Sequence, residues 1–165
     1  MCLSIKVSRP NDVLAEGQHL GFEWAVTNNG RGYRCGYVKV SPGHPWHGLS
    51  IWEAENILCH GGVTFAEADV SCGKEGLDNA WWIGFDCAHA DDAPDPALEI
   101  RVNESPALEI TVNESEDGLF CDYCYGVMGK CGTAWSQEYV EQQCRSLCEQ
   151  AELAALVVSI AQDSR

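Results

Sequence analysis

The sequence predicts an α+β fold, a mainly antiparallel sheet with one long C-terminal amphipathic helix packed on it. Three observations carry that prediction. Runs rich in aromatic and β-branched residues, Gly21 to Thr27, Tyr33 to Val40 and Ala80 to Phe85, have the character of short strands. The first two are separated by Asn28-Asn29-Gly30-Arg31-Gly32, a strong turn signal, which makes them a hairpin. From Ser136 to about Ala161, Val140, Cys144, Leu147, Ala151, Ala154 and Val158 step by four and three, the stripe of a helix long enough to lie across a sheet.

Taken in order, Leu3, Ile5 and Val7 alternate with polar residues as a half-buried strand does, and Pro10-Asn11-Asp12 ends the run. Residues 12–17 read as one helical turn or a loop. The hairpin follows. Ser41 to Gly48 holds two prolines and two glycines, so it is an ordered loop, and it carries His44, Trp46 and His47. Ser50 to Asn56 is a candidate short helix. Ile57 to Phe65 reads as a strand broken at Gly61-Gly62, where glycines mark a bulge or a close backbone approach. Ala66 to Asn79 is polar and loop-like, and Ala80 to Phe85 is a core strand that ends in a cluster of Asp, Cys and His.

After Asp92 the chain changes character. Ala93-Pro94-Asp95-Pro96 is linker-like, and Ala97 to Pro106 is then repeated as Ala107 to Glu116. Two copies are too few for a solenoid but can pair as an added hairpin. We therefore expect a single domain over 1–165, with 93–118 a peripheral duplicated hairpin insertion. Leu119 to Trp135 is compact and cysteine-rich. Ser136 is the expected N-cap of the helix, with Glu138 and Glu141 near the positive end of its dipole.

With 165 residues the chain suits one well-buried domain. Its net charge of −15 argues against binding to nucleic acid or to an anionic membrane, since both attract basic surfaces. No signal peptide or membrane-spanning run is visible, so the expected compartment is the cytoplasm. There, ten cysteines read as buried thiols, metal ligands or reactive groups rather than disulfides.

Three constellations carry candidate chemistry. The first gathers His44, His47, His60, Asp86, His89 and either Asp91 or Asp92, which lie in turn-like segments next to strands. If these converge they form an imidazole–carboxylate site for a divalent metal, or an acid–base pair. His60, Asp86 and His89 are the catalytic candidates, with Asp86 placed to orient His89. His44, the backbone of Gly61 and Gly62, and the rings of Trp46 and Trp82 are candidates for binding a ligand. The plain alternative is a tight junction in which Asp86 caps a turn and the aromatic residues are core. The second is Cys121-x-x-Cys124, with Cys131, and with Cys144 and Cys148 four apart on the helix, a style of structural zinc site. Its alternative is that Cys144 and Cys148 are small hydrophobes of the buried stripe. The third is a cysteine nucleophile, Cys87 beside His89 or Cys59 beside His60.

On Gly36-Tyr37-Val38, Gly43-His44-Pro45 with Gly48, His60-Gly61-Gly62-Val63-Thr64-Phe65 and Trp81 to His89, the chain resembles a family of small phage- and prophage-type proteins. Tyr139-Val140-Glu141 opens a similar C-terminal helix. The resemblance leaves out the duplication and the Cys121–Cys131 knuckle. It implies an accessory or host-interaction role in a mobile element and no particular reaction. The expected function is thus metal-assisted binding or hydrolysis of a small phosphorylated or nucleotide-like ligand, with zinc or another divalent metal as cofactor. The rival expectation is a non-enzymatic protein that sequesters a ligand or engages a host protein through its acidic surface.

Overall fold

The computed structural model describes residues 13–68, 79–98 and 132–164. Five strands and one helix follow in chain order: β1 (Val13–His19), β2 (Phe22–Asn28), β3 (Arg34–Val40), β4 (Phe65–Ala68), β5 (Trp81–Asp86) and α1 (Gln137–Asp163). The strands form one sheet in the order β1-β2-β3-β5-β4, antiparallel at every pairing. With α1 packed against β3, β2 and β1, the architecture is the expected α+β arrangement.

The hairpin of β2 and β3 is held by the asparagines that signalled it. Asn28 Oδ1 accepts from Gly30 N–H at 3.0 Å, and Asn29 Oδ1 accepts from Arg31 N–H at 2.8 Å and Tyr33 N–H at 3.2 Å. In β1 the structure overturns the sequence reading of 12–17, because this segment is an edge strand rather than a helical turn or loop. Within it Gly17 lies opposite Trp24, where a Cβ would come within 2.7 Å of the indole. The bulk that usually marks a strand is therefore supplied by the neighbouring strand. The β1–β2 turn also hides its signal, since Leu20 adopts a φ of 50° before Gly21 at 83°, a left-handed pair that suits a tight hairpin.

Ser50 to Asn56 forms hydrogen-bonded turns rather than a regular helix. Ser50 and Glu53 cap each other, with Ser50 N–H and Oγ donating to Glu53 Oε2 at 2.9 and 2.7 Å. The strand expected over 57–65 begins only at Phe65. Before it, Gly62 N–H donates to Cys59 C=O at 3.1 Å, closing a turn in which Gly61 has φ 64° and Gly62 φ 88°. Two consecutive left-handed residues cannot extend a ladder.

α1 starts as read, with Ser136 Oγ accepting from Tyr139 N–H at 3.2 Å. Val140, Cys144, Leu147, Cys148 and Ala151 are buried against Trp24, Val26, Val38, Val40, Ile83 and Phe85, all on one face of the sheet. On the other face Ala25 and Trp82 are fully buried, with Val13, Tyr37 and Phe65 packed against them. The strand expected over Leu3–Val7, the duplicated segment and the Cys121–Cys131 knuckle lie outside the described residues. Of the 93–118 insertion only its start is described, and Asp95 fastens it to the sheet through Arg34 at 2.7 Å and through Gly32 C=O at 2.8 Å. No helix among the described residues is long and apolar enough to cross a membrane.

Candidate functional site

At the end of the sheet where β5 runs out, three segments meet the first turn of α1. The Asp86 carboxylate turns the chain out of β5. Its Oδ1 accepts from Ala88 N–H at 3.0 Å, and its Oδ2 accepts from the Thr64 hydroxyl at 2.7 Å. The chain then forms a second turn, with Asp92 N–H donating to His89 C=O at 3.0 Å. Thr133 clamps this turn through its backbone, donating to Asp91 C=O at 2.9 Å and accepting from Ala93 N–H at 3.0 Å. Clamping at Thr133 also brings Trp135 and Tyr139 over the turn that carries His60.

The result is a cluster centred on Asp92. Its Oδ2 lies 3.0 Å from His60 Nε2 and 3.2 Å from His89 Nδ1, and it accepts from His89 N–H at 2.7 Å. Its Oδ1 accepts from the Trp135 indole N–H at 2.6 Å. On its far side His60 Nδ1 lies 3.3 Å from the Tyr139 hydroxyl. The His60 ring is enclosed by edge contacts to His89, Trp135 and Tyr139, with the last two stacked at 4.3 Å. Gly61 backs onto His89, and a Cβ at this position would sit inside the imidazole. The glycine that bends the chain thus also makes room for the second histidine.

Burial would raise the Asp92 pKa. Hydrogen bonds from His89 N–H, His60 and Trp135 outweigh it, together with the field of His60, and hold the carboxyl below its ordinary range. The side chain of Asp92 is 3% exposed, His60 13% and His89 34%, so the cluster opens to solvent on the His89 side.

Among the described residues, His60, His89 and Asp92 are the group able to hold a metal ion, with one donor atom from each within 4.8 Å of the others. Two donors each about 2.1 Å from a tetrahedral ion lie about 3.4 Å apart, so the 3.0 and 3.2 Å separations already match ligand spacing. The outer contacts match as well. A ligating imidazole is normally held through its second nitrogen, as Tyr139 holds His60, and a ligating carboxylate through its second oxygen, as Trp135 holds Asp92.

The structure joins His60, His89 and Asp92, with Gly61 behind His89, and separates His44, His47, Trp46 and Trp82 from them. His44 lies along α1, with Nε2 3.0 Å from Ala151 C=O and Nδ1 accepting from Trp46 N–H at 3.0 Å. Because Nδ1 accepts, Nε2 carries the proton, and the ring is a neutral staple between loop and helix. Ala151 is twelve residues beyond Tyr139, about 18 Å along the helix. His47 Nε2 is bound to Asn79 C=O at 2.7 Å. Trp46 is buried beside His44, and Trp82 is fully buried in the opposite face, so neither offers a free ring face. Gly62 N–H is taken by Cys59 C=O. Asp86 sits in the turn-capping position, and the carboxylate between the histidines belongs to Asp92.

The thiols are poor nucleophiles. Burial pushes Cys59 up to about 11, and burial together with the fields of Asp92, Cys35 and Asp86 pushes Cys87 up to about 12. Cys144 and Cys148 are fully buried, and Cys144 lies 3.7 Å from Ala25 C=O. Their proposed partners Cys121 and Cys124 lie outside the described residues.

Trp135 and Tyr139 carry no sequence signal for this site, because an aromatic residue just before a helix or in its first turn is more often core. The spacing of Asp92 three residues after His89 was the available clue. In comparisons with protein-family models, curated proteins and solved structures, nothing matches this chain.

Proposed function

We propose that the protein binds one divalent cation, zinc first, through His60 Nε2, His89 Nδ1 and an Asp92 oxygen. The observation that carries this reading is the convergence of these three donors within 4.8 Å of one another, each with an outer partner or a packing contact that fixes it. Three protein donors leave a fourth position, as in zinc sites that act on a substrate. The greater exposure of His89 puts that position on the solvent side. There, bound zinc would supply a Lewis acid and an activated water, and a phosphoryl oxygen of a small ligand fits the same position. We read the protein as a ligand-binding or hydrolytic accessory protein of a mobile element, on the strength of the motif resemblance.

Binding requires the imidazole nitrogens facing Asp92 to give up their hydrogen bonds to it. Protons compete with the ion for those nitrogens, so loading weakens in acid. The test is elemental analysis of protein purified without chelator, on wild type, His60→Ala, His89→Ala and Asp92→Asn. One zinc per chain in wild type and none in the variants supports the site. A wild type without metal whose melting is unchanged by zinc overturns it.

A second reading is favoured by the saturation of Asp92, which lies within hydrogen-bond reach of four donors without any ion. In that case the cluster fastens α1 to the loops, and the protein is a non-enzymatic partner-binding protein. Asp92→Asn would then lower stability with no change in zinc content.

A further inference from the structure

Arg34 opens β3 with its side chain 9% exposed, a buried cation that neither the sheet packing nor the donors around Asp92 require. A guanidinium is costly to bury unless it is paired and hydrogen-bonded. Its backbone is fixed by Cys87, whose N–H donates to Arg34 C=O at 2.9 Å just past the end of β5. From that anchor the side chain reaches two segments at once. Its Nη1 donates to Trp135 C=O at 2.7 Å and lies 2.7 Å from Asp95 Oδ2. Its Nε is buried with no partner among the described residues, so the side chain is placed for what Nη1 reaches.

Both acceptors belong to segments that build the cation site. Asp95 follows Asp92 by three residues, and its other groups are fixed without Arg34. Its N–H donates to Gly32 C=O at 2.8 Å, and its Oδ1 accepts from Ala97 N–H at 2.8 Å. Trp135 is the residue whose indole N–H donates to Asp92 Oδ1 at 2.6 Å. It is therefore held at both ends, by Asp92 at the ring and by Arg34 at the carbonyl. The guanidinium closes a ring of contacts that runs from Asp95 along the chain to Asp92, across to Trp135 and back. Because Asp95 neutralises it, Arg34 adds little net field at Asp92 and works by fixing a distance.

We infer that Arg34 is a positioning residue of the cation site and acts through Trp135. It fixes the backbone from which the indole is aimed at Asp92, and so holds Oδ1 away while Oδ2 faces the two histidines. Moving the indole by about 1 Å would end its hydrogen bond. The effect on metal rests on the cation-site reading, whereas the effect on the indole rests on the geometry alone.

The test uses the full chain as wild type, Arg34→Met, Arg34→Lys, Trp135→Phe and the double variant Arg34→Lys with Trp135→Phe. Competition with a chelating dye reads zinc affinity. The Trp135 indole N–H resonance, assigned by its loss in Trp135→Phe, reads the hydrogen bond in metal-free protein. Arg34→Met is expected to lose about tenfold in zinc affinity, the lower edge of what outer partners contribute, and to shift the indole resonance upfield. Arg34→Lys keeps the charge but is too short to reach both acceptors, and should fall between Arg34→Met and wild type. Added to Trp135→Phe, it should cost about twofold at most, because its route to Asp92 has gone. A merely structural role would lower the melting temperature and leave the indole resonance in place. Should Arg34→Met fail to fold, Arg34→Lys carries the same readouts. An unmoved indole resonance in Arg34→Lys overturns the inference, and so do losses that add in the double variant. If wild type takes up no zinc, the cation site falls, and the indole resonance still decides whether Arg34 aims Trp135.

Discussion

Replacing Gly61 or Gly62 by alanine separates backbone strain from damage to the site. Both glycines have a left-handed φ, 64° and 88°, where a side chain costs about 1–2 kcal/mol. Their surroundings differ. A Cβ on Gly62 meets nothing within 4 Å, whereas a Cβ on Gly61 lands in the His89 ring. G62A should therefore incur the backbone strain only, a fall in melting temperature of about 2–8 °C at about 2–4 °C per kcal/mol for a chain of this size. G61A carries the same strain and must also push His89 off Asp92. Losing that contact adds about 1–3 kcal/mol. The drop should be about twice that of G62A. Calorimetry measures it, and zinc titration followed by tryptophan fluorescence reads the site. We expect G61A to lose at least tenfold in zinc affinity and G62A to bind as wild type does. Equal melting and equal affinity in the two variants would refute the placement of His89.

Trp135→Phe keeps the stack on Tyr139 but leaves Asp92 Oδ1 without its donor at 2.6 Å. It should weaken zinc binding about 10–100-fold, read by competition with a chelating dye. Stability should fall with acid in two stages. The His44 pKa is lowered because burial disfavours its charged form, an effect only partly offset by its bond to Ala151, so the unfolded chain binds more protons and stability begins to fall below pH 6.5. His44→Gln should remove that stage from a series of urea melts. The second stage follows Asp92 and Asp95, whose lowered pKa values give stability that is complete well above their ordinary 3.8 and is lost as pH falls through the lower folded values.

Much of the frame was legible because its signals are local. Ser136 as the cap, the stripe from Val140 to Ala151, the asparagine turn and the Trp81 run each depend on neighbours in sequence. β1 escaped because its strand character depends on Trp24 lying over Gly17, a contact between neighbouring strands of the sheet. The site was half legible for the same reason. His60 and His89 stood out as histidines in turns beside glycine, but which carboxylate serves them depends on the path after β5. Asp86 is spent on Thr64 and Ala88, and the next turn delivers Asp92 instead. His44 has the same residue type and a similar loop, yet it follows the end of β3 that pairs with the start of β5, at the opposite end of the sheet from His60 and His89, and no spacing in the sequence records that. Trp135 and Tyr139 arrive from more than forty residues away.

X-ray absorption at the zinc edge tests the central claim most directly, because it reports what surrounds the ion. On zinc-loaded full-length protein the account predicts a first shell of nitrogen and oxygen at about 2.0–2.1 Å, with the multiple-scattering pattern of two imidazoles. Sulfur at about 2.3 Å would instead place the metal on cysteines and contradict the assignment to His60, His89 and Asp92.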